Sequence, residues 1–431
     1  MSVEVVSLGC RLNIAESEAI RGFLADGPPT VVVNSCAVTA EAVRQSRRAV
    51  RKLRREHPDA RLVVTGCAAT IEAEAFAAMA EVDAVVSNTV KLLEQSWLPR
   101  EGGGLDVVKD GLRPPPSRGS NERVAEGRRV GSHTRAFVPV QNGCDHACTF
   151  CIIPQGRGKS VSLPIVDVLS AVENAIFPNS TNLHLNAPKA HQSGHWGVNE
   201  VVLTGVDVTS WGFDLPNAPK LGNLVATILE AFPTLPRLRL SSLDGVEIDP
   251  LLFDLITSEP RVMPHIHLSL QSGSDMVLKR MKRRHSRARA IDLVQQMKAR
   301  RPDIAIGADL IAGFPTETAE MHEENVSIVR ECGIVHGHIF PYSPRPGTPA
   351  ARMPQVDPVL VRERAAEVRA AVAEERVRWL ATLIGKPAEI LAERDGTGHA
   401  GHFASYRVPQ GVAAGSLVTV TPTKIVEGIL E

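Results

Sequence analysis

Three short apolar runs in the first seventy residues each end beside a cysteine, and this pattern restricts the fold more than any other feature. The runs cover residues 3–8, 30–33 and 61–65, and their cysteines are Cys10, Cys36 and Cys67. Helical sequence separates the runs, and buried strands joined by helices predict a parallel sheet. Because the carboxyl ends of parallel strands lie along one edge, we expect these three N-terminal cysteines to converge there.

The meaning of the cysteines depends on the compartment that the sequence predicts. The 431 residues contain no apolar stretch long enough to cross a membrane, and the first residues do not resemble a signal peptide, which predicts a cytoplasmic protein with no membrane partner. In that reducing compartment the seven cysteines are expected to bind metal or take part in catalysis rather than to form disulfides. Since Lys+Arg and Asp+Glu both number 48, any nucleic-acid surface must be a local one.

A second series of strands and helices begins near residue 136. The predicted strands cover residues 137–141, 200–203, 237–240, 265–270, 304–311 and 334–342. Parallel strands with intervening helices predict a complete or partial barrel. The fold class expected for the whole chain is therefore α/β, with a Rossmann-like parallel sheet, a partial (β/α)6 barrel and a small all-β module.

Shifts in composition divide the chain into segments. We expect an N-terminal domain over 1–98, a Gly- and Pro-rich linker over 99–133, the barrel over 134–350, a connecting helix within 351–384 and the β module over 385–431. In the module, strands are predicted over 388–393, 416–421 and 425–430. Residues 177–198 have no regular period and interrupt the barrel, which is typical of a surface insertion.

A tighter cysteine group follows the first predicted barrel strand. These central cysteines, Cys144, Cys148 and Cys151, form a C-x3-C-x2-C pattern and can hold three irons of a [4Fe–4S] cluster. The fourth iron would then lack a protein ligand, so a molecule with an amine and a carboxylate can chelate it. The alternative is a zinc knuckle, for which His146 lies inside the loop but no further ligand has a standard spacing.

The N-terminal cysteines are too far apart in sequence for a local knuckle. Their shared position after predicted parallel strands instead predicts a second three-cysteine cluster. The alternative is that Cys10, Cys36 and Cys67 are separately buried structural cysteines. Cys332 has no comparable partners, so we expect it to be structural.

One predicted helix carries an excess of positive charge. Residues 41–56 contain seven bases and two acids, and one face holds Arg44, Arg47, Arg48, Arg51 and Arg55. Because the helix follows the Cys36 loop, phosphate contacts would place RNA beside the second cluster. The alternative is a solvated charged face. A second basic run over 279–289 would extend an RNA footprint onto the barrel.

The pattern from Cys144 to Cys151, with Phe150 before the last cysteine, resembles the signature of the radical S-adenosylmethionine superfamily. Joined to an N-terminal three-cysteine domain and a C-terminal β module, it makes nearly the whole chain resemble the methylthiotransferases. The segments 7–13 (SLGCRLN), 32–39 (VVNSCAVT) and 203–207 (LTGVD) are most similar to the branch that acts on threonylcarbamoyladenosine in tRNA. Residues 398–406 (GHAGHFASY) are similar to the TRAM domain, an RNA-binding β module.

This resemblance implies two [4Fe–4S] clusters and S-adenosylmethionine as cofactors. The central cysteines would hold the cluster that binds and cleaves S-adenosylmethionine, and the N-terminal cysteines the auxiliary cluster that delivers sulfur. Phe150 would lie beside the adenine of the cofactor, with packing in the core as its alternative role. Barrel strand ends would line the cofactor pocket through Gly205, Ser241 and Gln271.

The implied reaction is methylthiolation of tRNA at C2 of N6-threonylcarbamoyladenosine next to the anticodon, which needs a radical because this C–H bond is not acidic enough for a side-chain base. The partners would be tRNA, a one-electron donor such as flavodoxin or ferredoxin, and a sulfur source that the sequence does not identify. Alternatives are methylthiolation of isopentenyladenosine in tRNA or of a ribosomal protein, and, outside the enzymes, an iron–sulfur RNA-binding regulator. Two features depart from the family's pattern: the insert at 177–198, and a β module with four Lys or Arg against five acids from residue 385 onward.

Overall fold

The computed structural model describes residues 3–97, 133–178 and 197–431, together with a short strand at 106–108. Most of the predicted linker and of the insert at 177–198 lies outside these ranges. Within them, no helix has both the length and the apolar character needed to cross a bilayer. The α/β fold class is confirmed, with a parallel N-terminal sheet, a barrel and a C-terminal all-β sheet.

The N-terminal domain is a five-stranded parallel sheet whose strand order follows the chain order. Its strands are β1 (Glu4–Ser7), β2 (Thr30–Ser35), β3 (Arg61–Gly66), β4 (Ala84–Val86) and β5 (Asp106–Val108). Its helices are α1 (Arg11–Phe23), α2 (Ala40–Glu56), α3 (Cys67–Ile71) and α4 (Ala73–Ala77). Both faces of the sheet are buried: Val33 packs in one core with Val50 of α2, and Val32 packs in the opposite core with Ile20 of α1.

Strand β5 lies within the segment expected to be a linker. The linker expected over 99–133 is wrong at residues 106–108, because they pair in parallel with β4 and extend the N-terminal sheet. A three-residue edge strand between a triple-glycine and a triple-proline segment has too short an apolar run to stand out in the sequence.

The barrel strands also follow one another in chain order. The first, β6 (Ala136–Pro139), precedes a short antiparallel pair, β7 (Gln141–Asn142) and β8 (Val161–Ser162). The others are β9 (Glu200–Thr204), β10 (Arg237–Leu240), β11 (His265–Gln271), β12 (Ala305–Ala312) and β13 (Ile334–Pro341). The helices are α5 (Ile153–Arg157), α6 (Ile165–Ile176), α7 (Leu221–Ala231), α8 (Pro250–Ser258), α9 (Asp275–Met281), α10 (Arg287–Arg300) and α11 (Ala319–Cys332).

The barrel is partial, as predicted. Its six strands form two three-stranded parallel sheets, which a bridge between Leu243 and Leu268 joins. No pairing links β6 to β13 within the ranges that the structure covers. Apolar strand side chains such as Ile266 and Leu270 pack outward against the helices, so the alternating residues face the lumen. On β11 these alternating residues are His265, His267 and Ser269, which gives the lumen a polar lining.

A long helix, α12 (Pro358–Ala381), leads to the C-terminal module. The module is a six-stranded sheet with strands β14 (Ala388–Ala392), β15 (Thr397–Ala400), β16 (Ser405–Arg407), β17 (Leu417–Val420), β18 (Ile425–Val426) and β19 (Ile429–Leu430). The single strand predicted over 425–430 is wrong. Glu427 and Gly428 take positive φ angles of 51° and 78° and form a tight turn between β18 and β19.

The C-terminal module packs on the amino-terminal end of the barrel. The Phe403 ring stacks on His265 at the start of β11, with 5.1 Å between ring centroids, and lies 4.9 Å from the guanidinium of Arg239. Arg239 Nη1 also donates to the Gly401 carbonyl at 2.9 Å. The central cysteines lie between β7 and β8, beyond the carboxyl end of β6, so the module and the cysteine loop are at opposite ends of the barrel.

We expect Phe403→Ala to loosen this module, because the substitution removes a ring packed between an imidazole and a guanidinium. Truncating a core Phe typically costs about 3–5 kcal/mol, and Phe403 is half-buried, so a loss of about 2–3 kcal/mol is expected. Unfolding of the module in urea measures this loss of stability, with protease cleavage between α12 and β14 as the readout. The control is Phe213→Ala, because Phe213 is 75% exposed; equal losses in the two variants would contradict the packing role of Phe403.

Candidate functional site

The N-terminal cysteines lie at the carboxyl ends of three neighbouring strands, as predicted. Cys10 precedes α1, Cys36 follows β2 directly and Cys67 is the first residue of α3. Gly9 has a φ of +117°, and a Cβ there would lie 3.0 Å from the Cβ of Cys36. Gly66 has a φ of +95°, and a Cβ there would overlap the backbone of β2. The glycines before Cys10 and Cys67 therefore let these loops approach the Cys36 loop.

The three thiols are close enough to influence one another. Burial raises the pKa of the Cys36 thiol, and the nearby Cys67 and Cys10 raise it further. Three thiolates would therefore repel one another here unless a cationic group lay between them. Such a donor set fits an iron–sulfur cluster, whose irons bind cysteine as thiolate.

A buried charge network lies behind the N-terminal cysteines. Arg157, at the end of α5, donates to Glu16 Oε1 at 2.7 Å, and Lys91 Nζ donates to Glu16 Oε2 at 2.5 Å. Each of these side chains is at most 2% exposed. Arg157 Nη2 also donates to Asn13 Oδ1 at 2.6 Å, and that oxygen lies 3.6 Å from Cys10 Sγ. The network thus connects the barrel to the Cys10 loop.

The network joins two basic side chains, Arg157 and Lys91, to one carboxylate, and burial lowers the pKa of Lys91. Burial lowers the pKa of Arg157, but Glu16 and the nearby Cys67 and Cys10 raise it by more, so Arg157 stays charged. Three thiolates on an iron–sulfur core carry net negative charge, which the buried Arg157 guanidinium would offset. The charge of the site fits a cluster better than it fits three neutral thiols.

The central cysteines lie in the loop between β7 and β8. Backbone hydrogen bonds fold this loop: the Cys151 N–H donates to the Cys148 carbonyl at 3.2 Å, and the Cys144 N–H donates to the Gly158 carbonyl at 3.2 Å. Burial raises the pKa of Cys144 to about 12, and burial with the nearby Cys148 raises that of Cys151 to about 11. Thiols gathered in this way are suited to metal binding, which removes their protons.

The two cysteine groups meet at the boundary between the N-terminal domain and the barrel. The pKa of Cys151, raised mainly by burial, is also raised by Cys67. A Cβ at Gly156 in α5 would lie 3.4 Å from the Cα of Cys67, so the two loops pack directly. Asn88 Nδ2 donates to the Gly156 carbonyl at 2.7 Å and lies 3.5 Å from Cys67 Sγ. Two clusters held here would be neighbours.

Arg283 is a functional candidate that the sequence does not single out. Its Nη1 lies 3.7 Å from Cys148 Sγ, and its Nη2 donates to Asp244 Oδ2 at 2.9 Å. Arg284 pairs with Glu247 at 2.7 Å. Arg283, 7% exposed at its side chain, is therefore engaged beside the cysteine loop instead of being free for RNA, whereas Arg284 is 47% exposed. The sequence does not indicate the contact between Arg283 and Cys148, because 135 positions separate the two residues.

The residues predicted to line a cofactor pocket lie at the same end of the barrel as the central cysteines. Gly205 follows β9, Ser241 follows β10 and Gln271 ends β11. Ser241 Oγ is buried without a hydrogen-bond partner among the described residues, and Gln271 has a positive φ of 71°, a strain that is common at binding sites. Phe150 packs edge-to-face on Phe314, with 6.4 Å between ring centroids. Their contact with a cofactor stays a prediction.

The basic stripe predicted on α2 is a surface of that helix. Residues such as Val50 and Leu53 bury the opposite face. Four of the stripe arginines have carboxylate neighbours, in the pairs Arg44–Glu41, Arg47–Glu72, Arg48–Glu41 and Arg51–Glu81. Ion pairs at exposed positions are weak, so phosphate groups can compete for these arginines. Binding of RNA by the stripe, including Arg55, stays a prediction.

Comparisons with known proteins agree with this geometry. Residues 138–327 match the Radical SAM superfamily, and residues 2–87 match uncharacterized protein family UPF0004. The chain is 41% identical over 430 residues to the threonylcarbamoyladenosine tRNA methylthiotransferase MtaB of Rickettsia prowazekii (strain Madrid E), which covers 99% of this chain and 96% of that protein. It is 30% identical over 406 residues to the tRNA-2-methylthio-N(6)-dimethylallyladenosine synthase of Cereibacter sphaeroides (strain ATCC 17025 / ATH 2.4.3), which covers 91% of this chain and 87% of that protein.

Among solved structures, the chain is similar to the cobalamin-dependent S-adenosylmethionine radical enzyme OxsB with aqua-cobalamin and S-adenosylmethionine bound. The TM-score is 0.50 at 11% identity, over 86% of this chain and 56% of that chain, which shows a shared fold. The similarity to the Rickettsia prowazekii protein is far closer and runs through both cysteine groups and the C-terminal module. On this evidence the chain belongs to the radical S-adenosylmethionine methylthiotransferase family.

Proposed function

We propose that this chain methylthiolates tRNA at C2 of N6-threonylcarbamoyladenosine next to the anticodon. The observation that carries the proposal is the similarity to the Rickettsia prowazekii enzyme, which extends over 99% of the chain and includes both cysteine groups. The contact between the two groups through Gly156 and Asn88 supports it. Methylthiolation needs a hydrogen-abstracting radical and a sulfur donor at the same carbon atom, so two adjacent clusters suit the reaction.

The cofactors of this family are [4Fe–4S] clusters and S-adenosylmethionine, and the residues of this chain fit them. We assign one cluster to each cysteine group, with S-adenosylmethionine on the open iron of the central one. When bound, these groups supply the radical that activates the C–H bond and the sulfur that is transferred. Arg283 beside Cys148 and Arg157 behind Cys10 would offset their negative charge.

The end of the barrel near the central cysteines would hold the rest of S-adenosylmethionine. The buried hydroxyl of Ser241, which has no hydrogen-bond partner in the part of the chain that the structure describes, supports this assignment, since such a group is costly unless a ligand satisfies it. Gln271 and Gly205 lie at the same end. Phe150 would contact the adenine, while its ring packs nearly perpendicular to that of Phe314. The chain would thus orient the cofactor and exclude water around it.

The RNA and the other partners are part of the proposal. The stripe on α2 begins directly after the Cys36 loop, where Thr39 caps the helix by accepting a hydrogen bond from the Ala42 N–H at 3.1 Å. Phosphates bound along it would place the modified base beside the N-terminal cysteines. A flavodoxin or ferredoxin would supply single electrons, the sulfur source stays open, and the reaction would take place in the cytoplasm.

A second candidate substrate is isopentenyladenosine in tRNA, because the Cereibacter sphaeroides relative is named for dimethylallyladenosine. Its identity is lower, at 30% against 41%. A ribosomal protein substrate and a non-enzymatic iron–sulfur regulator are the remaining alternatives.

In a strain that lacks this gene, we expect tRNA to lose the 2-methylthio derivative of N6-threonylcarbamoyladenosine and to accumulate N6-threonylcarbamoyladenosine itself. Mass analysis of tRNA nucleosides measures both, and re-expression of the wild-type protein, but not of Cys148→Ala, should restore the product. Loss of the methylthio derivative of isopentenyladenosine, or of a ribosomal-protein modification, would point to another substrate. A purified protein that forms no 5′-deoxyadenosine with a strong reductant would favour the regulator.

A further inference from the structure

One arginine in the barrel lumen forms no direct ion pair with the residues that the structure describes. Near the amino end of the barrel, other arginines pair with carboxylates, as Arg135–Glu393, Arg237–Glu389 and Arg239–Glu200. Arg11, the first residue of α1, makes no hydrogen bond or ion pair with the residues that the structure describes. Its guanidinium instead lies 5.6 Å from the centroid of the Phe403 ring. A cation held in this way is poorly satisfied and is suited to an anionic ligand.

Arg11 reaches from the N-terminal domain into the lumen. Helix α1 packs against β6, the first barrel strand. The Phe403 ring that Arg11 faces also contacts the lumen residues His265 and Arg239. Arg11 is half-buried, so part of its side chain stays accessible. Arg11 directly follows Cys10, so its side chain leads from the N-terminal cysteines toward the amino end of the lumen, where Phe403 lies.

The neighbouring layer of the lumen is polar as well. Asp309 Oδ1 accepts hydrogen bonds from His267 Nε2 at 3.0 Å and from His338 Nδ1 at 3.1 Å. These bonds offset the charge of Asp309. The acid that acts electrostatically on Arg11 is Glu200, and Arg239 already pairs with it at 2.7 Å. His338 is 65% exposed at its side chain, and its Nε2 is directed away from Asp309. Among the described residues, the lumen therefore offers a guanidinium in no direct ion pair and an imidazole nitrogen in no hydrogen bond, which an apolar dimethylallyl group would leave without partners.

We propose that Arg11 binds the carboxylate of a substituent on N6 of the adenine base and so selects adenosines whose substituent ends in a carboxylate. The inference rests on the proposed function and adds the residue that decides its substrate. A guanidinium can grip a carboxylate through two parallel charge-assisted hydrogen bonds. His338 would hydrogen-bond to a hydroxyl or amide of the same substituent.

The test compares two RNAs with two holoenzymes. The RNAs are an anticodon stem-loop carrying N6-threonylcarbamoyladenosine and the same stem-loop with that carboxylate converted to its methyl ester; the proteins are wild type and Arg11→Gln. For the wild type, esterification should raise KM about 10- to 100-fold, the usual range for losing a charge-assisted hydrogen bond. Arg11→Gln should bind the free carboxylate as weakly as the wild type binds the ester, and should be indifferent to esterification within about twofold.

Two controls separate recognition from damage to the nearby cluster. Arg11→Gln should keep the iron content and the 5′-deoxyadenosine production of the wild type. Arg21→Gln lies on the same helix, where Arg21 Nη2 bonds to the Val5 carbonyl at 3.3 Å, and should keep the wild-type response to esterification. Equal sensitivity of wild type and Arg11→Gln to the ester would overturn the assignment of Arg11. A wild-type protein that modifies neither RNA but modifies one carrying isopentenyladenosine would overturn the proposed function itself.

Discussion

Replacement of Cys10, Cys36 and Cys67 by alanine should lower the iron content from about eight to about four atoms per chain, as the loss of one of two four-iron clusters requires. Methylthiolation should stop, since the sulfur-delivering centre is gone. Production of 5′-deoxyadenosine should persist, because the central cysteines lie in a separate loop between β7 and β8. Iron and sulfide analysis with electron paramagnetic resonance, on anaerobically prepared protein, measures the first effect.

The matched control is Cys332→Ala. Cys332 ends α11 and is buried, and burial raises its pKa to about 11, as expected for an inert structural thiol. This variant should keep about eight irons, as two [4Fe–4S] clusters require. About four irons in both the wild type and the triple variant would mean that the N-terminal cysteines bind no cluster, and the sulfur-transfer mechanism would then fall while the radical chemistry stands.

Replacement of Arg157 by methionine should have the second largest effect. This buried guanidinium bonds to Glu16 and Asn13 in the N-terminal domain and to Asn142 in β7. Removing one member of a buried charged network typically costs about 3–5 kcal/mol, because its partners stay desolvated. We expect a loss of about 3 kcal/mol or more in the free energy of unfolding of cluster-free protein, and a lower iron occupancy at the N-terminal cysteines after reconstitution.

Arg378→Met controls for the loss of an arginine as such. Arg378 is 57% exposed at its side chain and pairs with Glu374 and Glu375 on the surface of α12. Exposed pairs are worth about 0–1 kcal/mol, so this variant should be close to wild type. If denaturant unfolding gave the same loss in the free energy of unfolding for both variants, the hydrogen bonds of Arg157 would not hold the N-terminal domain to the barrel.

Much of the architecture could be predicted because it depends on local signals. The helix expected over 41–56 is found at Ala40–Glu56, and the strand expected over 237–240 is found at Arg237–Leu240. Continuous apolar runs mark strands that are buried on both faces, and their ends place the N-terminal cysteines at one edge of the sheet. The cysteine patterns are the strongest functional signal, because the residue type and its position both restrict the kind of metal centre that can form.

The contacts between distant segments could not be predicted. Arg157 joins Glu16 across 141 positions, and Arg283 approaches Cys148 across 135. A basic run in the sequence is as compatible with an RNA surface as with such internal contacts, and only the fold separates the two. Likewise, the docking of Phe403 on the barrel depends on how two domains pack together. The hydrophobic periodicity of the sequence does not indicate that packing.

The most direct test of the central claim is the reaction itself. Anaerobically reconstituted protein is incubated with S-adenosylmethionine, a strong one-electron reductant and a stem-loop RNA carrying N6-threonylcarbamoyladenosine, and the products are identified by mass spectrometry. We predict formation of the 2-methylthio nucleoside together with 5′-deoxyadenosine, and no methylthio product when the N-terminal cysteines are replaced. Release of 5′-deoxyadenosine with the RNA left unmodified, while a stem-loop carrying isopentenyladenosine is methylthiolated, would contradict the account.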